Sequence, residues 1–253
     1  MVHVVNEWPV GSVCSAAGGM DLGFERAGMS TRWVCEVDPF RRKLLAKHFP
    51  SAAQYPDLTT LDPAELEPVR VLIGGTPCQD FSVAGKGAGL DGSRSSLFHH
   101  YIRVRNALNV EWCVWENVLG AFSTNSGMDF ARVLGSFVDA AVDVPAGGWP
   151  RAGVVAGPFG GAAWRVLNAQ HFGVPQRRRR VFVVGRLGGP CPPEVLFELA
   201  GGGGDSEARD EARPQSAGSL VSGTLGASGK GGGDVNGLDR RGAYVADGVP
   251  WAT

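Results

Sequence analysis

The sequence lacks the cysteine spacing that zinc sites and disulfide frameworks require. Its five cysteines are widely separated and contain no CxxC pair: Cys14, Cys35, Cys78, Cys113 and Cys191. We therefore expect neither a metal nor a disulfide network, and an odd number of thiols is typical of a reducing compartment. All except Cys78 lie in apolar or proline-rich surroundings, which favours small buried hydrophobes.

Long apolar runs and an excess of basic residues are also missing. No stretch of about 18 apolar residues occurs, and the amino terminus lacks a basic segment followed by an apolar one. We therefore expect no membrane span and a soluble, cytoplasmic protein. The net charge of −1 shows no general basicity, but nucleic-acid binding depends on where Lys and Arg lie rather than on their sum.

Residues 200–253 contain too little apolar material to form a core. GGGGDSEARDEARPQSAG is almost free of apolar residues, and GSLVSGTLGASGKGGGDVNG alternates small residues with glycine. We predict a globular domain over residues 1–199 and a glycine-rich linker with weak hairpin material over 200–253. A purely flexible tail is the alternative.

Apolar runs alternate with helical patterns over the rest of the chain. The predicted strands are Val10–Ser15, Arg32–Glu36, Arg70–Gly74, Glu111–Glu116, Ala163–Asn168 and Val181–Gly185. The predicted helices are Met20–Ala27, Pro39–Phe49, Leu97–Leu108 and Phe130–Ala141. This alternation predicts an α/β fold with a doubly wound, mostly parallel sheet. Ligands of such sheets bind beyond the carboxyl ends of the strands, where Ser15, Glu36, Gly74 and Glu116 fall.

The first turn, SAAGGMDLGF, resembles a nucleotide-binding turn in its position. Gly18 and Gly19 let the backbone approach a ligand beside a helix start, and Glu36 lies where an acidic residue meets a ribose hydroxyl. The sequence has no GxxxxGK[ST] loop, which argues against a nucleoside triphosphate. A ligand with an adenosine group and no required phosphate fits better.

Three further motifs carry reactive side chains. GGTPCQDFS places Cys78 where a strand opens into a glycine-rich loop, and a nucleophilic thiol there would need local positive charge. WENV places Glu116 at the end of an apolar strand, where we expect burial to raise its pKa. QRRRR leads into VFVVG, so on a strand Arg178 and Arg180 share one face, opposite to Arg177 and Arg179.

The ordered motifs of the chain resemble those of the DNA (cytosine-5)-methyltransferase family across residues 10 to 186. They are, in order, SAAGGMDLGF, EVDP, GGTPCQDFS, GLDGSRSSLF, WENV and LNAQHFGVPQRRRRVFVVG. The resemblance implies that a target cytosine is flipped out of double-stranded DNA. It implies that Cys78 attacks C6 of the base, while Glu116 binds N3 and supplies a proton. Arg178 and Arg180 would hold the base and Glu116.

The resemblance also implies a cofactor, S-adenosylmethionine, and further contacts. The residues that match its binding site are Ser15, Ala16, Ala17, Gly18, Gly19, Glu36, Val37, Asp57, Leu58, Pro77 and Leu97. The residues that match DNA contacts are Gln79, Ser82, Arg94 and Gln176. Within the cofactor set, Glu36 would bind the ribose and Asp57 the adenine amino group.

Two departures from the family pattern stand out. The FxGxGG turn of the family is CSAAGG here, and an alanine at position 16 fits that turn if its φ is negative. After VFVVG only residues 219–244 resemble the start of a target-recognition region, and the RLQGFP-like and GNSV-like segments are missing. A second polypeptide that supplies these segments is one explanation, and a truncated gene or a minimal variant are others.

Three other functions stay open at this point. A non-catalytic DNA-binding or regulatory subunit would not need Cys78, Glu116 and the two arginines together. An RNA cytosine-5 methyltransferase would share the chemistry. A nicotinamide-dependent oxidoreductase would use the glycine turn and Glu36 but has no role for PCQ or QRRRR.

Overall fold

A computed structural model describes residues 8–77, 97–191 and 195–196. The chain divides into two compact units, residues 1–117 and 118–253. The predicted division into residues 1–199 and 200–253 stays a prediction, because residues 197–253 lie outside the described residues.

The first unit is built from alternating strands and helices. Its elements are β1 (Pro9–Val13), α1 (Gly19–Arg26), β2 (Ser30–Cys35), α2 (Pro39–His48), β3 (Ala53–Tyr55), β4 (Val71–Gly74), α3 (Leu97–Leu108) and β5 (Trp112–Asn117). A 3-10 turn, Pro63–Glu65, lies between β3 and β4. Strand–helix alternation requires crossover connections, which make the neighbouring strands parallel.

The five strands that the structure describes in this unit are parallel and lie in the order β3-β2-β1-β4-β5. The chain runs outward from β1 to β3 and then returns to place β4 on the other side of β1. The carboxyl ends of β1 and β4 therefore flank the point where the strand order reverses, which is where open α/β sheets bind ligands. Val13 pairs with both Cys35 and Gly74, so the segments that follow β1, β2 and β4 begin at one level.

Close packing of glycine against tryptophan shapes the core of the first unit. A Cβ atom on Gly11 would lie 2.1 Å from the ring of Trp33, so only glycine leaves room for this buried indole. Val10, Leu72 and Ile73 are fully buried beside it in the sheet. Burial of such side chains stabilises the fold by about 1.5–3 kcal/mol each, which anchors the strand ends that form the site.

The described part of the second unit combines one amphipathic α-helix with three antiparallel strands. Its elements are α4 (Met128–Val138), β6 (Ala152–Gly157), β7 (Gly160–Asn168) and β8 (Arg179–Leu187), with β7 paired to both other strands. Edge-to-face contacts join Phe130, Trp149 and Trp164, with ring centroids 5.0 to 5.9 Å apart. Such contacts orient the rings and fix the helix against the strands.

The predicted α/β class with a mostly parallel, Rossmann-like sheet is confirmed. The four helices lie at the predicted positions, and helix 97–108 has the predicted bounds. Sequence reading missed β3 and β6, since a three-residue edge strand and a glycine-rich one carry weak patterns. Among the described residues, no helix is both long and apolar enough to cross a membrane.

Candidate active site

The turn after β1 alternates between ordinary and left-handed backbone. Cys14 and Ala16 both have φ of 51°, and Gly18 has φ of 79°. The condition of a negative φ at Ala16 is therefore not met, and an alanine occupies a left-handed position where the family pattern has glycine. Gly18 is required for a second reason, since a Cβ atom there would lie 2.5 Å from the Phe49 ring.

Hydrogen bonds of Ser15 hold this turn in place. The buried Ser15 donates from Oγ to Ser12 Oγ over 2.8 Å, and its carbonyl accepts from the Gly18 N–H over 2.9 Å. Ala16, Ala17 and Gly19 remain exposed above it. Three of the five predicted cofactor residues of this turn thus present backbone and small side chains to solvent.

Glu36, directly after β2, is the buried acid of the site. Its side chain is 5% exposed, and each of its carboxylate oxygens accepts a backbone N–H: Oε2 from Ala16 at 2.8 Å and Oε1 from Asp38 at 3.0 Å. Arg41 Nη1 lies 3.8 Å from Oε1. A carboxylate has about four acceptor positions, so both oxygens retain capacity for ligand hydroxyls.

The start of α2 fixes the segment next to Glu36. Asp38 caps the helix by accepting the N–H groups of Phe40 and Arg41, and proline follows it at the first helical position. Val37 and Phe40 are left 71% and 76% exposed. An exposed apolar side chain beside a polar site suits contact with a flat ring system.

Asp57 follows β3 at the same edge of the sheet. Its Oδ1 accepts both the N–H and the hydroxyl of Thr59 at 2.8 Å, and these two bonds lower its pKa. The adjacent Leu58 is buried, and Arg103 donates to the Leu58 carbonyl at 3.2 Å. Asp57 therefore stays ionised at a fixed position, as an acceptor for a donor group.

The segment after β4 packs against the end of β5. A Cβ atom on Gly75 would lie 3.1 Å from Glu116 Oε2, so the carboxylate rests against the glycine backbone. Thr76 Oγ1 accepts the indole N–H of Trp115 at 2.9 Å, and its carbonyl accepts Asn117 Nδ2 at 2.8 Å. Glu116 is half-buried, so the expected burial is met only in part.

Several predicted site residues lie outside the described residues: Cys78, Gln79, Ser82 and Arg94. Pro77, the last described residue before them, is exposed, and Leu97, the first after them, begins α3 half-buried. The expected burial of the other cysteines holds for Cys35, Cys113 and Cys191 and is wrong for the half-exposed Cys14. Burial raises the pKa of the Cys35 thiol to about 12, which makes it unreactive at neutral pH.

The arginine run lies in the second unit, where β8 begins. The expected strand alternation starts only at Arg179, because Arg178 precedes the strand. Its N–H donates to the Gln176 carbonyl, and its own carbonyl accepts from Ala169, both at 3.0 Å. Arg178 is exposed, whereas Arg180 is half-buried and donates from Nη1 to the Arg179 carbonyl at 2.8 Å.

Asp21 is a buried acid that sequence reading did not single out. It is fully buried in the first turn of α1, and among the described residues neither oxygen meets hydrogen-bonding geometry. Burial raises its pKa to about 6, and the nearby Ser12 hydroxyl lowers it by a smaller amount. The described residues contain no cluster of three or more His, Cys, Asp or Glu that could hold a metal ion. The sequence signal that could have indicated the buried Asp21 is an acidic residue between apolar residues at a helix start.

With this geometry established, comparison with known proteins decides the family. The family model for C-5 cytosine-specific DNA methylase matches residues 9–191. The chain belongs to this family. The match spans β1 to the end of β8.

The curated relatives include chains of very different length. A Type II methyltransferase, M.AquIA of Picosynechococcus, is 36% identical, with 70% of this chain and 71% of that protein covered. A protein of Escherichia phage P1 named DNA N-6-adenine-methyltransferase is also 36% identical and covers 76% of this chain, but the match covers only 30% of that protein. Besides the phage P1 protein, the curated relatives include six further Type II methyltransferases. This chain spans less than half of the length of each of these seven proteins.

Among solved structures, a prophage-encoded protein of Escherichia coli described as a DNA modification methyltransferase aligns with a TM-score of 0.52. It is 21% identical and covers 72% of this chain and 47% of its own. At this identity the likeness establishes the fold alone, and it agrees with the Rossmann-like assignment.

Proposed function

We propose that this protein transfers a methyl group from S-adenosylmethionine to C5 of cytosine in DNA, through a covalent bond between Cys78 and C6 of the base. One observation carries the proposal beyond family membership. The Glu116 carboxylate rests against Gly75, three residues before Cys78, at the reversal point of the strand order. The Glu116 carboxylate and the glycine that precedes Cys78 by three positions therefore lie at the same edge of the sheet.

The acid would act by proton donation. A thiolate that adds to C6 pushes negative charge onto N3 and C5 of the pyrimidine, and a proton at N3 offsets that charge. Glu116 is half-buried beside Gly75, so its carboxylate is able to reach a base placed there. After methyl transfer, loss of the C5 proton and breaking of the Cys78–C6 bond regenerate the thiolate and release the product.

The residues of the first unit fit S-adenosylmethionine. The unused acceptor positions of Glu36 suit two ribose hydroxyls, the ionised Asp57 suits an adenine amino group, and the exposed Val37 suits a ring face. Ala16, Ala17 and Gly19 are exposed at the start of α1, where a ligand is able to approach the main chain. When bound, the cofactor supplies the methyl group that C5 accepts.

The roles of Arg178 and Arg180 follow from charge, and that of Gln176 from the family resemblance. A guanidinium group binds carboxylate or phosphate through a rigid set of donors and keeps its charge at any working pH. Arg178 is exposed just before β8, which suits contact with a base or a phosphate. In the proposed function Arg178 and Arg180 hold the flipped cytosine, while Gln176, Gln79, Ser82 and Arg94 contact DNA.

One relative raises a second candidate, because the phage P1 protein is named for adenine N6 methylation. That reaction uses the amino nitrogen itself as nucleophile and has no need of a thiol. Since 70% of that protein lies outside the match and the family model concerns cytosine C5, we favour cytosine. Identifying the methylated base after digestion separates the two candidates, and an RNA substrate in parallel tests the RNA alternative.

The decisive experiment traps the covalent intermediate. The full chain is incubated with S-adenosylmethionine and a mixed-sequence duplex that contains 5-fluorocytosine, whose C5 fluorine prevents the elimination. We expect an adduct that survives denaturation and is absent in Cys78→Ser. Cys191→Ser is the matched control, because its hydroxyl is able to replace the thiol that bonds to the Val184 carbonyl at 3.3 Å.

The outcomes separate the candidate functions. An adduct lost only in Cys78→Ser supports the proposal, whereas a gel shift without an adduct indicates a DNA-binding subunit. Absence of both refutes DNA as the substrate of this chain alone. Adding the product of a downstream open reading frame, if there is one, tests the explanation by a second polypeptide, since an adduct formed only in the mixture requires that partner.

A further inference from the structure

Arg42, near the start of α2, binds the segment that connects β2 to this helix. Its Nη1 donates to the carbonyls of Glu36 and Val37, both over 2.8 Å. Its backbone N–H donates to the Asp38 carbonyl at 3.0 Å, which is an ordinary bond at a helix start. One residue thus binds three consecutive carbonyls, and no sequence motif pointed to it.

The same segment carries two residues of the predicted cofactor site. The buried Glu36 carboxylate is oriented by the N–H groups of Ala16 and Asp38, at 2.8 and 3.0 Å. The Val37 side chain is 71% exposed. Glu36 and Val37 are adjacent, so their placement relative to each other depends on the backbone between them.

The two bonds from Arg42 Nη1 fix that backbone. Each peptide unit is planar, and the Glu36 and Val37 carbonyls belong to the two planes that meet at the Cα atom of Val37. Holding both carbonyls on one nitrogen restricts the φ and ψ of Val37. The segment lies between β2 and α2 and belongs to neither element, so neither of their hydrogen-bond ladders sets these angles.

The guanidinium group suits this task. A charged donor makes a stronger hydrogen bond than a neutral one, and arginine keeps its charge at any working pH. The Arg42 side chain is half-buried, which reduces competition from water. Removing it would leave the Glu36 carbonyl without this donor directly behind the buried carboxylate.

We propose that Arg42 is a positioning residue that sets Glu36 and Val37 for the adenosine part of S-adenosylmethionine. This role rests on the proposed cofactor and is independent of the base that is methylated. Arg42 acts through two carbonyls and not by contact with the cofactor. It prepares the segment before the ligand arrives, so its loss appears as weaker binding.

The test titrates the full chain with S-adenosylhomocysteine, the product without the transferred methyl group, by calorimetry. We expect Arg42→Met, which removes the donors, to weaken binding about tenfold. Arg42→Lys should stay within about threefold of the unmodified chain, because one ammonium nitrogen has enough N–H groups for both carbonyls. Lys43→Met is the matched control. It removes one charge from an exposed position of the same helix and should change binding less than about twofold.

Two comparisons separate positioning from other effects of the substitution. S-adenosylmethionine carries an additional positive charge on sulfur, so an electrostatic effect of Arg42 would differ between the two ligands, whereas positioning weakens both equally. Glu36→Gln combined with Arg42→Met should lose less than the product of the two single losses, because Arg42 acts partly through Glu36.

Hydrogen exchange tests the same role without any ligand. The Asp38 N–H is bonded to Glu36 Oε1, so a displaced segment should release it. Peptides that contain Asp38 should exchange faster in Arg42→Met, followed by mass spectrometry, and at the original rate in Lys43→Met. Should Arg42→Met fail to fold, Arg42→Gln, whose shorter side chain ends before the carbonyls, replaces it with the same expectations.

The outcomes distinguish this role from the proposed function. If the unmodified chain binds neither ligand, the proposed cofactor is refuted and this role with it. If the unmodified chain binds and Arg42→Met binds equally well, only the positioning role is refuted. Equal losses in Arg42→Met and Lys43→Met, no recovery in Arg42→Lys, or single losses that multiply in the double variant also overturn it.

Discussion

The left-handed alanine at position 16 predicts a stabilising substitution. A non-glycine residue in this region places its Cβ atom too close to the following carbonyl oxygen, at a cost of roughly 1–2 kcal/mol. Ala16 has φ of 51° and is held there by its N–H bond to Glu36. Ala16→Gly should remove the strain and keep the bond, because the bond uses only the backbone.

The neighbouring residue supplies a matched control. Ala17 is also exposed but is not among the residues with positive φ. Glycine increases the entropy of the unfolded chain at either position, which lowers the free energy of unfolding by about 0.4–1 kcal/mol. Ala16→Gly should therefore gain about 0.5–1 kcal/mol net, whereas Ala17→Gly should lose about 0.4–1 kcal/mol.

The difference between the two variants isolates the strain. The unfolded-state contribution is common to both, so their free energies of unfolding should differ by about 1–2 kcal/mol. For a domain of this size that corresponds to a difference in Tm of roughly 2–8 °C. Thermal or denaturant unfolding of the two purified variants, side by side with the unmodified chain, measures it.

Equal shifts in both variants would contradict the reasoning. They would mean that Ala16 adopts ordinary backbone in solution, or that its strain is relieved by a change in the turn. The same measurement with S-adenosylmethionine present should raise Tm for both variants, if the turn binds the cofactor as proposed.

Two further predictions follow from buried contacts in the first unit. In the folded chain the pKa of Asp21 is about 6, whereas the ordinary pKa of an aspartate is 3.8. The free energy of unfolding should therefore fall by up to about 3 kcal/mol as the pH rises between those two values, because the folded chain holds the proton more tightly. Asp21→Asn should remove this loss, and unfolding curves of the two chains that stay parallel from pH 4 to pH 8 would refute it. Gly75→Ala should push the Glu116 carboxylate aside and slow adduct formation about tenfold, with stability changed by less than about 1 kcal/mol. Gly120→Ala, whose Cβ atom would meet only Val118 at 3.6 Å, is the control, and an equal effect of both substitutions would exclude the contact as the cause.

Much of the architecture was readable from local patterns. The bounds of α3 follow from apolar spacing at Leu97, Tyr101 and Leu108, and the start of α2 follows from Asp38 before Pro39. These signals are local because helix spacing and capping involve residues within about four positions of each other. The order of the motifs at strand ends likewise indicated that the site residues lie at one edge of the sheet, and it indicated the cytosine-5 methyltransferase family.

Contacts between distant residues required the folded chain. Whether Ala16 takes a positive φ depends on Glu36, twenty positions later, and on the packing of Gly18 against Phe49. The half-buried state of Glu116 and the bonds from Trp115 and Asn117 to Thr76 depend on the register between β4 and β5.

The sequence by itself determined the elements, the chemical groups and their order along the chain, because local sterics and periodicity decide those. Only the tertiary structure decided backbone strain, burial and the partners of each polar group. Those properties arise when strands about 40 residues apart, such as β4 and β5, are brought within hydrogen-bonding distance.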